Sequence, residues 1–250
     1  MRWSAIFAAA IAMMYAAYSL FYPTTSYRFK LTLNVETPEG LKTGSSVMEV
    51  QDRRFPAWTT LGGSIGQSSL TGEAVFVDLG QTADGKRQNV IALLALGPGG
   101  ENVDFYLLPG MAFGPLWKNK VGSPSYRGSS WELPQLPVGT RAELRGDLIP
   151  TLTTFSDLHD LTTARAIRPS DFSQAFGNGF AFRDMIIEIV PAGMWPFNSF
   201  GITGEPITTG IEGKLPWWNG PFPWLRPLGG GVFADTRTEK FKVNKENFKR

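Results

Sequence analysis

The chain has 250 residues, a formal charge of +2 at pH 7, no cysteine and one histidine. The last two counts exclude disulfides, thiol nucleophiles, cysteine-ligated zinc, iron–sulfur clusters and multi-histidine metal sites. They also force any Ser-His-Asp arrangement to use His159. Charged residues make up 18%, below the ~25% of ordinary soluble domains. With 28 Gly and 18 Pro the chain is rich in turns, yet too apolar to be disordered.

The first segment, 1–24, reads as a transmembrane anchor or signal segment. From Trp3 to Tyr22 it carries no charge, and the uncharged run continues to Tyr27. About 20 apolar residues at ~1.5 Å rise match a ~30 Å hydrocarbon core. Tyr15, Tyr18 and Tyr22 gather toward one end, as an interfacial aromatic belt does, and Pro23 stops the helix. The competing reading is a cleaved signal peptide with its small-residue site at Ala17-Tyr18-Ser19. Arg2 flanks one side and Arg28 with Lys30 the other, so the positive-inside rule votes weakly.

Residues 25–190 read as strands. Tyr27, Phe29, Leu31, Leu33 and Val35 alternate with Arg28, Lys30, Thr32 and Asn34, the pattern of a strand with one face buried and the other in solvent. Thr37-Pro38-Glu39-Gly40 signals a tight turn, and 45–51 returns as the partner strand. A second hairpin pairs 73–79 with 88–96 through Asp84-Gly85, and apolar residues on both faces predict central strands covered on both sides. Further strands are predicted at 104–108, 141–144, 148–155 and 182–190. A short helix is predicted at 169–176, opened by Pro169 and closed by Gly177. Strands do not alternate with long helices, which argues against a doubly wound α/β fold. The expected fold class is mainly β, an antiparallel sandwich or barrel-like domain, with one N-terminal transmembrane helix and one or two short helices.

Residues 191–231 change in composition. They hold seven prolines and the tryptophans Trp195, Trp217, Trp218 and Trp224. So much proline prevents long regular structure, and so many aromatics do not suit a disordered linker. The segment reads as an arm packed on the β-rich domain or, more sharply, as a partner-docking or membrane-surface contact, with these four tryptophans as candidate ligand or partner contacts. Residues 232–250 read as a basic last strand with a frayed tail. The final fourteen residues carry six basic and two acidic side chains, a net of +4, over a body of −2. That charge is too sparse for a nucleic-acid site.

Taken together, several stretches resemble a family of uncharacterised proteobacterial cell-envelope proteins with an N-terminal signal or anchor. They include Ser19-Leu20-Phe21-Tyr22-Pro23, Tyr27-Arg28-Phe29-Lys30-Leu31-Thr32, Val35-Glu36-Thr37-Pro38-Glu39-Gly40, Gly72-Glu73-Ala74-Val75-Phe76-Val77-Asp78-Leu79-Gly80 and Thr208-Thr209-Gly210-Ile211-Glu212. The resemblance covers most of 15–220. It implies an envelope protein of unknown function and assigns no catalytic residue. The Trp217-Trp218 pair and the basic tail depart from the pattern.

Two constellations remain. Gly62-Gly63-Ser64-Ile65-Gly66 matches G-x-S-x-G, which makes Ser64 with His159 a remote serine-hydrolase candidate. The flanks lack the strand and helix that the nucleophile elbow needs, so a glycine-rich loop is the plainer reading. Asp157-Leu158-His159-Asp160 places the imidazole among carboxylates, and Asp157, His159 and Asp160 are weak metal candidates against the plainer reading of a polar turn. No cofactor is expected.

The expected function is that of a membrane-anchored, periplasm-facing envelope protein, a non-enzymatic interaction or structural module. Its partners would be the lipid bilayer through 3–22 and an envelope protein, and not nucleic acid. It would sit as a single-pass protein in a bacterial inner membrane, or in the periplasm after signal cleavage. The alternative is a β-barrel that binds a lipid or glycan.

Overall fold

The computed structural model of the chain describes residues 2–21, 24–55, 66–82, 85–97, 100, 104–114, 132–194, 197–200, 202–219, 232–236, 239–243 and 245–250. Helix α1, Arg2–Phe21, comes first. Among the described residues no helix is long and apolar enough to cross a membrane.

Strand β1, Thr24–Thr37, and β2, Gly40–Arg54, form a long hairpin. Pro38 and Glu39 make its two-residue turn, and Gly40 closes it at φ 117°, a conformation that costs glycine little. Tyr27, Phe29, Leu31, Leu33 and Val35 of β1 are all buried, as their alternation predicts. The opposite face is not simply solvated, because Arg28 is only 3% exposed. The loop that follows the last strand of this sheet covers it.

Strand β3, Gly66–Thr71, pairs with the end of β2. Strands β4, Val75–Gln81, and β5, Arg87–Ala92, form the second hairpin. Four short pieces follow: α2, Leu108–Phe113; β6, Arg141–Glu143; β7, Leu152–Phe155; and β8, Ala164–Ile167. Then come α3, Phe172–Phe176, and β9, Ala181–Val190. The chain ends through α4, Ile211–Lys214, and a ribbon of β10, Val232–Thr236, with β11, Glu239–Val243.

These strands build a five-stranded sheet in the order β3-β2-β1-β9-β6 and a four-stranded sheet in the order β4-β5-β7-β8. Every pairing in both is antiparallel. One core lies between the sheets: Phe29, Leu31, Met48 and Ile187 from the first meet Val75, Val77, Val90 and Leu152 from the second. The layers come closest at Gly44. A Cβ there would overlap the Phe76 carbonyl oxygen and lie 2.9 Å from Val77 Cγ2.

The outer face of the four-stranded sheet is also covered. Ile91, Leu93, Phe155 and Ala164 pack there against Ile211, Leu215 and Phe248. Thus β5 is central and buried on both sides, as predicted, whereas β4 is an edge strand. Its apolar residues on both faces reflect cover from two layers and say nothing about its place in the hydrogen-bonding order.

Other expectations are corrected. The predicted strand at 104–108 is a 3-10 turn, Phe105–Leu107, that leads into α2. Phe105, Leu108 and Phe113 are buried at helix-compatible spacing, and Pro109 sits at the start of α2 where its missing N–H costs nothing. The strand predicted at 148–155 starts only at Leu152, after Pro150 and a 3-10 turn at Gly146–Leu148. The tail does not fray. Phe248 is fully buried, and Arg250 and Gly72 exchange backbone hydrogen bonds of 2.9 and 3.0 Å.

Candidate functional site

The polar turn after β7 is built by its own carboxylates. Asp157 Oδ1 accepts the His159 backbone N–H at 2.8 Å and faces the imidazole Nδ1 at 3.1 Å. That backbone bond, and then the ring, hold the Asp157 carboxyl below the usual aspartate range. Asp160 Oδ1 accepts from Thr162 N at 2.8 Å and Thr162 Oγ1 at 2.7 Å, and so caps the 3-10 turn Leu161–Thr163. The His159 side chain is 77% exposed, so water has free access to the pair. Among the described residues no group of three or more His, Cys, Asp or Glu side chains gathers to hold a metal ion. These residues act as turn-makers. Ser64, Trp195 and Trp224 lie outside the described residues.

Trp217 and Trp218 are half-buried on a 3-10 turn, Pro216–Asn219. The Trp217 ring meets Phe248 edge-on at 5.5 Å and Trp218 at 5.4 Å. Both indoles pack on the cluster that backs the four-stranded sheet, and the Trp217 Nε1 is buried without an acceptor. Residue Glu73, 1% exposed, ties this region together. Its carboxylate accepts the Ile211 amide at 2.7 Å and faces Lys249 Nζ at 3.6 Å.

A pocket of about 490 Å³ opens between the β4–β5 turn, the β7–β8 hairpin and α3. Lys86, Arg87 and Arg165 line it with one carboxylate, Asp171, and with Thr154, Ser156 and Gln174. The wall is positive and rich in hydrogen-bonding groups. It contains no imidazole, and neither Trp217 nor Trp218 lines it.

The least expected feature is the loop of residues 191–205. Arg28 is buried beneath it. Its Nε donates to Glu49 Oε2 at 2.7 Å, one terminal nitrogen donates to the Glu205 carbonyl at 2.8 Å, and the other reaches the Asn198 carbonyl at 3.5 Å. Lys30 Nζ pairs with the Glu205 carboxylate at 2.9 Å. The loop is closed at its base by Glu205 N donating to the Pro191 carbonyl at 2.9 Å. From there the chain follows the edge of β2, where Thr208 and Val47 exchange bonds of 3.0 and 2.8 Å. On the outside of the loop Met194, Phe197 and Ile202 are exposed.

Sequence reasoning placed Arg28 on a solvated strand face. The signal for the loop was present as a stretch without charge, 191–204, that holds Met194, Trp195, Phe197, Phe200 and Ile202. No family model, no curated protein and no solved structure matches the chain.

Proposed function

We propose that this chain is a cell-envelope protein. Residues 1–24 would bring it to the membrane, and its β-rich body would face the periplasm and work non-enzymatically through contacts with envelope partners. One observation carries the reading. Ile6, Phe7, Ile11, Met13, Met14 and Tyr15 of α1 are all exposed; at ~100° per residue they cover an arc of about 200°, and no residue from Trp3 to Phe21 puts a charge on the remainder. An uncharged helix that exposes so wide an apolar arc suits a lipid environment better than water. The uncharged run from Trp3 to Tyr27 supports the same reading.

Fractionation of the full chain expressed in a proteobacterial host tests this. Recovery with membranes after a carbonate wash, and digestion of the body by protease added to spheroplasts, is the expected result. Recovery in the cytosol, or a body protected in spheroplasts, would overturn it. The mass of the mature N-terminus tells a retained helix from a cleaved signal.

The pocket favours a second reading, a domain that binds an anionic small ligand. Lys86, Arg87 and Arg165 supply positive charge, and Thr154, Ser156 and Gln174 supply hydrogen bonds. Thermal-shift measurement against inorganic phosphate, phosphoglycerol and acidic glycans tests it. Stabilisation that disappears in Arg87→Ser/Arg165→Ser supports it, and a flat response across the panel rules it out.

A further inference from the structure

We propose that the 191–205 loop is a second membrane contact, which lays Met194, Phe197 and Ile202 into the interface of the same bilayer that α1 engages. The inference rests on the membrane reading above.

The first support is the exposure itself. Met194 is 68% exposed, Phe197 49% and Ile202 70%. The sequence from 191 to 204 has no charge to keep such a surface in water.

The second is that the loop is held in shape. Thr203 Oγ1 accepts the Met194 amide at 3.0 Å, and the Phe197 carbonyl accepts the Ile202 amide at 3.0 Å. The two arms cross so tightly that a Cβ on Gly204 would lie 2.6 Å from Gly193 N. Arg28, desolvated under the loop, fixes two of its carbonyls. Burying a guanidinium is costly unless it is fully bonded. Here the bonding holds apolar side chains outward when a slack loop would fold them in.

The third is position. Arg28 pairs with Val190, the last residue of β9, and Thr24 pairs with Arg53. The loop therefore leaves the five-stranded sheet at the end where β1 begins. Helix α1 stops at Phe21 and β1 starts at Thr24, so the tether spans roughly 10 Å at most. The turn that carries exposed Val138 lies at this end too, since Gly139 N donates to the Ile189 carbonyl at 2.8 Å. So does Arg53, 5.8 Å over the Phe55 ring. An apolar loop with a basic residue at the same end of the sheet fits the acyl–headgroup boundary of a phospholipid surface better than a purely apolar protein groove.

The chain has no cysteine, so Ile202→Cys and Leu41→Cys each accept one environment-sensitive fluorophore. Leu41 is exposed too, but sits beside the hairpin turn at the far end of the same sheet. The full chain is reconstituted into vesicles of phosphatidylethanolamine with phosphatidylglycerol. At position 202 a blue shift and quenching by spin labels placed near the headgroups are expected, and at position 41 neither. Met194→Glu/Phe197→Glu, which leaves Arg28 in place, should lower the inserted fraction at 202 by roughly ten-fold or more with the thermal midpoint kept, since a side chain of this size carries about that in partitioning.

Protein that floats with the vesicles while its 202 probe stays in water overturns the loop contact and leaves the membrane reading intact. A shift at 202 seen only in native membranes, with their proteins, overturns the lipid assignment in favour of a protein partner. Failure to float at all overturns both readings.

Discussion

Replacing Arg28 by methionine tests what a buried guanidinium does in this sheet. The substitution keeps most of the length and volume and removes the charge. Glu49, whose side chain is 17% exposed, is left without its cation, and the Glu205 carbonyl loses a charged donor at 2.8 Å. Orphaning one member of a buried pair costs about 3–5 kcal/mol. Because Glu49 keeps some access to water, the lower end applies, about 3 kcal/mol. For a chain of this size that lowers the thermal midpoint by roughly 6–12 °C.

Urea unfolding of the full chain in detergent, followed by far-ultraviolet circular dichroism, reads the stability. The double variant Arg28→Met/Glu49→Leu should recover about 2 kcal/mol of the loss, because the orphaned charge is gone. It should not recover the loop, since the bonds to Asn198 and Glu205 are still missing, and cleavage by protease within 191–205 should be faster in both variants. A single variant within about 0.5 kcal/mol of the parent would refute the reasoning. Equal losses in the single and double variants would place the cost in the carbonyl contacts alone.

Phe248→Ala should cost about 3–5 kcal/mol, because the ring is fully buried between Phe155 at 6.1 Å and Trp217 at 5.5 Å; a loss below about 0.5 kcal/mol in urea unfolding would mean that the tail is peripheral. Gly44→Ala should destabilise by about 1–3 kcal/mol or more through overlap with the Phe76 backbone, while Gly213→Ala, with nothing within 4 Å of its Cβ, should be neutral. The Tyr27 phenol is pushed well above the ordinary tyrosine range, by burial first and by the Asp52 charge second. Its contribution to stability is therefore complete below about pH 10, the unfolded value, and is lost as pH rises beyond it, because the unfolded chain ionises there and the folded one does not. Stability should fall with pH above about pH 10 less steeply in Tyr27→Phe than in the parent. In His159→Ala the Asp157 carboxyl should keep most of its depressed pKa by NMR titration, since the backbone N–H is the larger cause and survives the change. Full return to the ordinary aspartate value would assign the effect to the ring.

What could be read ahead of the structure was whatever depends on neighbours in sequence. Period-two alternation located β1, and Pro38 with Gly40 located the turn from which β2 returns, because strand faces and turn conformations are local. Gly177 ends α3 at φ 109° for the same reason. What depends on distant cover was not legible. Apolar residues on both faces of β4 suggested a central strand, but its second cover comes from the chain's last residues and from α4, more than a hundred positions away. Nothing local in Phe248 or Glu73 marks them as partners in that closure.

The same reasoning bears on the site. A search for chemistry by residue type led to His159 and its flanking aspartates, and the structure uses those carboxylates to bind their own backbone. Arg28 drew no attention because a charge on the polar face of an amphipathic strand is what alternation expects. Its significance comes from 177 residues downstream, where Glu205 accepts its proton donor. A buried cation that pairs with Glu49 and also serves the main chain of a loop marks backbone that must keep one shape. On this chain that backbone carries exposed methionine, phenylalanine and isoleucine. The rigidity would be wasted on a loop whose side chains turned inward, since a core packs itself. It has a use where apolar side chains are presented to something outside the fold, and under the membrane proposal the end of the sheet where β1 begins is where a bilayer would lie.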